Sequence, residues 1–312
     1  MTSPSKTKKT DTNTNSKKNT PLIVTKSGKI PFSTGYLAES LLVLGITLKE
    51  AYKYAEKISR KLKTLDQPEI KSSTLMELII REFQESKHPY AIRAEFLRND
   101  LKLLRPLVVL LSGVTGIGKS TISLLISQRF KIESLLGSDF VREVFRSAIN
   151  PRLMPTIHFS SYEVGDHLGL SISRRLNRHI IGFEEQARKV MVGIEATIDY
   201  VISQRDTILI EGVHGIPYLL KEEYVSSEHV VPILLTLEDE ELHYNRLKKR
   251  ERLNPNRKGT HVKYFDRIRS IQAYLIERCK DEGFPVVDLK DEYDAVTQIT
   301  EEIWKRKLSS LS

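Results

Sequence analysis

Residues 107–121 read LVVLLSGVTGIGKST. The apolar run 107–111, ending at Ser112, predicts a buried strand, and Gly113, Val114, Thr115, Gly116, Ile117, Gly118, Lys119 and Ser120 then fit the pattern G-x-x-x-x-G-K-S. Glycines let successive backbone N–H groups turn inward around a polyphosphate. The loop then delivers that anion to a helix N-terminus, where free N–H groups and the dipole favour it. Lys119 is expected to reach the β- and γ-phosphates and the Ser120 hydroxyl to be a ligand of Mg²⁺. In a chain of 312 residues four such constrained positions coincide by chance on the order of one time in a hundred.

Outward from this loop the chain changes character. Beyond Pro106, apolar strand candidates at 107–111, 133–136, 207–210, 230–235 and 285–287 alternate with helical stretches, which predicts a parallel sheet wrapped by helices. Ala187, Val190, Met191, Ile194, Ile198 and Val201 mark a long amphipathic helix whose stripe faces the core. Ligands in such sheets sit beyond the carboxyl ends of strands, so residues just after strands are the first site candidates. Before Pro106, residues 21–105 read as a small, mostly helical unit. It has two short β-like pieces (22–25 and 29–32), Ser33 as an N-cap, capping boxes at Thr47 with Glu50 and at Thr74 with Glu77, and helices near 75–83 and 90–101.

Composition narrows the class. With 40% hydrophobic residues the chain can build real cores, and a single cysteine, Cys279, excludes an internal disulfide framework and a cysteine zinc site. No apolar run approaches the roughly 18 residues that span a bilayer, so the expectation is a soluble, cytoplasmic protein with no membrane partner. The net charge of +9 includes +4 from residues 1–20, where five lysines face Asp11 alone. That segment has no apolar residue after Met1 and is expected to be a disordered basic tail, solubilising or in loose contact with a polyanion. The sequence is compatible with a homo-oligomer.

Three further groups carry chemistry. Asp139 follows the second strand, and Arg142 and Arg146, one turn apart, share a helix face. An acid beside arginine forks suits an anionic phosphoryl acceptor, although an N-cap with surface arginines reads the same. Glu211 ends the third strand and can hold Mg²⁺ through water; the choice between Glu211 and Asp139 as main metal partner stays open. His214 reads as structural. Arg246, Lys248, Lys249, Arg250, Arg252, Arg257 and Lys258, opposed by Glu251, predict a lid that brings arginines such as Arg246 and Arg250 to the transferred phosphoryl group. Sparse interleaved aromatics argue against nucleic acid as the partner of this stretch. His158, Ser160, Ser161 and Tyr162 lie where an acceptor-covering insertion would be.

In order and spacing, GVTGIGKST (113–121), GSDFVREVFR (137–146), LMPTIHFSSY (153–162), GFEEQA (182–187), ILIEGVHGIP (208–217) and RIRSIQAYL (267–275) resemble the archaeal 2-phosphoglycerate kinases. VTKSGKIPFSTGYLAESLLVLGI (24–46) is similar to the ATP-cone module that precedes the kinase domain there and also occurs in ribonucleotide reductases. The resemblance implies an α/β phosphate-loop kinase domain (106–312) behind an ATP-cone-like domain (21–105), with ATP and Mg²⁺ as cofactors. It implies transfer of the γ-phosphoryl group to the hydroxyl of a small phosphorylated acceptor, 2-phosphoglycerate, to give 2,3-bisphosphoglycerate. Carried onto this chain, Gly113, Gly116, Gly118, Lys119, Ser120 and Thr121 bind Mg-ATP, Asp139, Arg142 and Arg146 form the acceptor site, and Glu211 supports the metal. His158, Ser160, Ser161 and Tyr162 match the family's hydroxyl-rich segment. Competing readings are a kinase for inositol phosphate or a nucleic-acid end, and a non-catalytic ATP sensor.

Overall fold

A computed structural model describes residues 20–98, 104–167, 177–253 and 260–309. The expectations for the basic tail, Thr20 apart, and for Arg257 and Lys258 fall outside these residues. The amino-terminal part opens with β1 (Leu22–Thr25) and β2 (Gly28–Pro31), an antiparallel hairpin. Helix α1 (Thr34–Leu41) starts where the Ser33 hydroxyl accepts the Tyr36 N–H, and a left-handed Gly45 (φ 91°) ends the turn that follows. The Thr47–Glu50 capping box is present at the head of α2 (Leu48–Thr64), which buries Ala51, Ala55, Ile58 and Leu62.

Two local expectations fail here. A short strand β3 (Glu69–Lys71) pairs parallel with β1 and leads directly into α3 (Ser72–Glu85), whose N-cap is Lys71. Thr74 and Glu77 therefore lie inside the helix and form no capping box. The following helix, α4 (Ala91–Phe96), stops at Leu97, short of the 90–101 stretch that periodicity predicts, of which residues 99–101 lie outside the described ones.

From β4 (Leu107–Ser112) the chain alternates: α5 (Lys119–Phe130), β5 (Ser134–Gly137), α6 (Ser138–Ala148), α7 (Arg178–Ser203), β6 (Thr207–Gly212), α8 (Glu222–Val225), β7 (Val230–Thr236), α9 (Glu240–Leu253), α10 (Thr260–Lys263), α11 (Phe265–Asp281), β8 (Val286–Asp288) and α12 (Glu292–Leu308). All five strands are parallel, in the order β5-β6-β4-β7-β8. Every residue of β4 and β7 is buried, because helices cover both faces, and this is why these strands read as unbroken apolar runs. The stripe expected on α7 is buried along its whole length. With β4 central, its carboxyl end opens at the crevice where the chain departs to either side.

Helix α12 joins the two parts. The indole N–H of the fully buried Trp304 donates to the Val43 carbonyl at 2.6 Å, and Arg93 forks onto Glu301 at 2.7 and 2.6 Å. Arg129, at the end of α5, donates to the Thr300 hydroxyl at 3.0 Å, so the helix that begins at the phosphate loop touches the same α12.

Candidate active site

The loop of residues 113–118 leaves β4 through three left-handed glycines, Gly113, Gly116 and Gly118 (φ 154°, 87° and 109°). Gly116 is required twice, by its backbone and by packing: a Cβ there would overlap the Leu247 side chain of α9. Lys119 is 8% exposed, and its ammonium donates to the Val114 carbonyl at 2.8 Å. Burial pushes its pKa down to about 8, opposed by the nearby Glu211 and Asp139 carboxylates. The Ser120 hydroxyl donates to Glu211 Oε1 at 3.0 Å, joining the start of α5 to the end of β6.

Helix α9 roofs the loop. His243, Arg246, Leu247 and Arg250 follow i, i+3, i+4, i+7 spacing and therefore share one face. His243 Nε2 lies 2.9 Å from the Thr115 carbonyl; with that nitrogen as the N–H donor, Nδ1 is unprotonated, and burial lowers the imidazole pKa. Arg246 donates to the carbonyls of Ile117 and Leu289, and Arg250 to the Thr115 hydroxyl at 3.1 Å. The two expected lid arginines thus stand against the loop, and they come with two neighbours, His243 and Leu247, that a reading for charge passes over.

Asp139, in the first turn of α6, is exposed and lies 3.6 Å from Arg142 Nε. Arg142 also donates to the carbonyls of Ile157 and Phe159, at 3.0 and 3.2 Å, so it shapes the hydroxyl-rich segment from below. Arg146 points elsewhere, forking onto Glu143 at the surface. Ser161 and Tyr162 approach the phosphate loop, where with Val114, Thr115 and Val213 they line a small cavity; the Tyr162 ring meets those of His261 and Tyr264. His158 keeps a buried Nε2 with no hydrogen-bond partner among the described residues.

A buried chain of hydrogen bonds ties these pieces together. Gln186 Nε2 donates to the carbonyls of Thr156 and Phe159 at 2.7 and 2.8 Å, which orients its Oε1 toward His214 Nε2, 3.1 Å away. His214 therefore carries its proton on Nε2, and Nδ1 accepts from the Ser138 hydroxyl at 3.0 Å, beside Asp139. Burial pushes the His214 pKa down to about 4; the Asp139 carboxylate opposes this, while Arg142 and Lys119 add to it. The unfolded chain binds a proton at this residue below about pH 6.5 that the folded chain refuses, so stability falls as pH falls from 6.5 toward 4. Urea unfolding at pH 7 and pH 5 is expected to show about 2 kcal/mol of this loss in the wild type and not in His214→Gln. Equal pH dependence in the two proteins would contradict the buried neutral imidazole.

The hydroxyl of Ser120 and the carboxylate of Glu211 are hard oxygen donors in contact, which fits Mg²⁺, an ion held by one or two protein oxygens together with phosphate and water. Among the described residues no helix is long and apolar enough to cross a membrane.

A central parallel strand, a phosphate loop capping the next helix and a basic helix across that loop define an α/β phosphate-loop protein of the kinase class. No family profile matches the chain. It is 36% identical over 268 residues to the 2-phosphoglycerate kinase of Methanocaldococcus jannaschii, covering 84% of this chain and 84% of that one. Against the 2-phosphoglycerate kinases of Methanopyrus kandleri and Pyrococcus furiosus it is 32% and 31% identical, over 90% and 91% of this chain and 86% and 93% of theirs. The chain belongs to the 2-phosphoglycerate kinase family and is a phosphotransferase. Among solved structures, a gluconokinase from Sinorhizobium meliloti 1021 aligns with a TM-score of 0.40 and 12% identity over 66% of this chain and 96% of its own. A shikimate kinase from Acinetobacter baumannii in complex with shikimate aligns with a TM-score of 0.38 and 16% identity, over 67% and 98%.

Proposed function

We propose that the protein transfers the γ-phosphoryl group of ATP to the hydroxyl of 2-phosphoglycerate, giving 2,3-bisphosphoglycerate. The observation that carries this reading is the meeting of Ser120 and Glu211 at 3.0 Å beside Lys119, with Asp139 close enough to favour the Lys119 cation. The backbone N–H groups of residues 113–119 bind the triphosphate, and Lys119 exchanges the Val114 carbonyl for phosphate oxygens. Ser120 and Glu211 would hold Mg²⁺, which would supply positive charge to offset that of the triphosphate. Asp139 accepts the proton of the acceptor hydroxyl as that oxygen attacks in line, and Arg250 faces the charge spread over the moving phosphoryl group.

Arg142 keeps the 155–162 segment in place while its Nε side remains toward the acceptor. Arg146 binds the acceptor's anionic groups by leaving Glu143, an exchange favoured by the weakness of exposed ion pairs. The hydroxyls of Ser160, Ser161 and Tyr162, with His158, line the acceptor side. Residues 21–105 act as an ATP-cone-like domain attached to the kinase domain of residues 106–312.

Pure protein incubated with γ-labelled ATP and Mg²⁺ is expected to label 2-phosphoglycerate at least about tenfold faster than 3-phosphoglycerate, inositol phosphates or a 5′-hydroxyl RNA. Preferential labelling of an inositol phosphate or of RNA would move the acceptor, and nucleotide binding with no transfer to any of them would favour the sensor reading.

A further inference from the structure

Away from the phosphate loop, a cavity of about 520 Å³ opens where α1 and the turn after it meet the end of α5 and the start of α12. Its size is that of a small-molecule site. Tyr36, Leu48, Leu125 and Tyr293 line it, and each is more than a third exposed, so one place gathers apolar surface that no described residue covers. Arg129 forms another part of the wall. It is half-buried, burial lowers its pKa, and it donates to a neutral hydroxyl, that of Thr300; among the described residues it makes no ion pair. Lys131 stands two residues on. Glu39 and Glu292 also line the space, but neither pairs with Arg129 or Lys131, and Glu292 sits in the first turn of α12, where the helix dipole already suits it.

A desolvated guanidinium without a carboxylate, set beside uncovered aromatic and aliphatic surface, matches a ligand with an anionic group and a flat apolar body. We infer that this cavity is a binding site for a small organic anion, and that its occupancy alters nucleotide affinity at the far end of α5. Along that helix Arg129 lies ten residues, about 15 Å, from the loop at Lys119. A packed helix bonded to α12 at one end and carrying the phosphate loop at the other provides a contiguous element for such coupling.

The probe is 1-anilinonaphthalene-8-sulfonate, an aromatic sulfonate, and the chain supplies its own reporter. Trp304 is the single tryptophan, and it lies eight residues, about 12 Å, along α12 from the cavity-lining Val296. The full-length protein is expected to bind one dye saturably, with Trp304 emission falling as dye emission rises. Arg129→Met is expected to weaken binding at least tenfold, and Ser40→Trp, which fills the cavity from the exposed face of α1, to abolish it, read there by dye emission. Circular dichroism melts check that both variants are folded. Bound dye is expected to shift the Kd of a non-hydrolysable Mg-ATP analogue at least threefold, a reading that needs no turnover. Dye binding that is absent, or equal in the wild type and both folded variants, overturns the site, whatever the kinase assay shows. Dye binding as described with an unmoved analogue Kd overturns the coupling.

Discussion

Lys119→Ala is expected to lower ATP-dependent turnover by at least about a hundredfold while leaving the fold intact. The ammonium is set at the mouth of α5 in a nearly closed environment, 8% exposed, with Glu211 and Asp139 as the carboxylates that offset its burial. Removing a preorganised charge from such a centre typically costs several kcal/mol of transition-state stabilisation, because the surrounding protein cannot reorganise as water would. The free enzyme loses little by comparison, since among the described residues Lys119 makes one hydrogen bond there, to the Val114 carbonyl. Steady-state transfer assays beside thermal melts separate the two effects. Lys119→Arg is expected to rescue poorly: a planar fork does not fit where a point charge bonds a single loop carbonyl. Turnover in Lys119→Ala within about threefold of the wild type would remove the residue from the mechanism.

What the residues disclosed on their own follows the range of the interaction. Residues 113–120 were legible because the chemistry demands particular residue types at fixed spacing, and the spacing itself produces the loop. The strands β4 and β7 were legible because burial on both faces leaves an apolar run with no alternation. The roof on the loop was half legible. Arg246 and Arg250 stand out as charges, whereas His243 and Leu247 declare themselves only when the four are placed on one helical face. The bond from His214 to Gln186 spans 28 residues and that to Ser138 spans 76, so no local pattern encodes them. Arg142 shows a different limit. Its position one turn from Asp139 is visible in the sequence, but the identity of its acceptors, two backbone carbonyls, is a property of how the 155–162 segment folds back. At Thr74 local grammar was overruled by tertiary pairing: β3 joins β1 and starts α3 earlier than a capping box would.

Asp139→Asn is the second large effect, with turnover expected to fall at least about a hundredfold and the Kd for a Mg-ATP analogue to stay within about threefold. Asparagine keeps the shape and a hydrogen-bonding oxygen but cannot take a proton, so the variant isolates general-base function, which typically contributes 10²–10⁴-fold. The geometry makes the separation sharp. Asp139 leads α6, across the sheet end from Ser120, and its carboxylate lies 3.6 Å from Arg142 Nε and 3.9 Å from His214 Nδ1. Glu211, by contrast, touches the Ser120 hydroxyl directly. Glu211→Gln is therefore expected to raise the Mg²⁺ concentration needed for half-maximal rate, a change that Asp139→Asn should not produce. If Asp139→Asn instead loses the analogue and shifts the Mg²⁺ dependence, the roles are exchanged. The proton of the acceptor hydroxyl must then leave to water or phosphate, and Asp139 becomes the metal-side carboxylate.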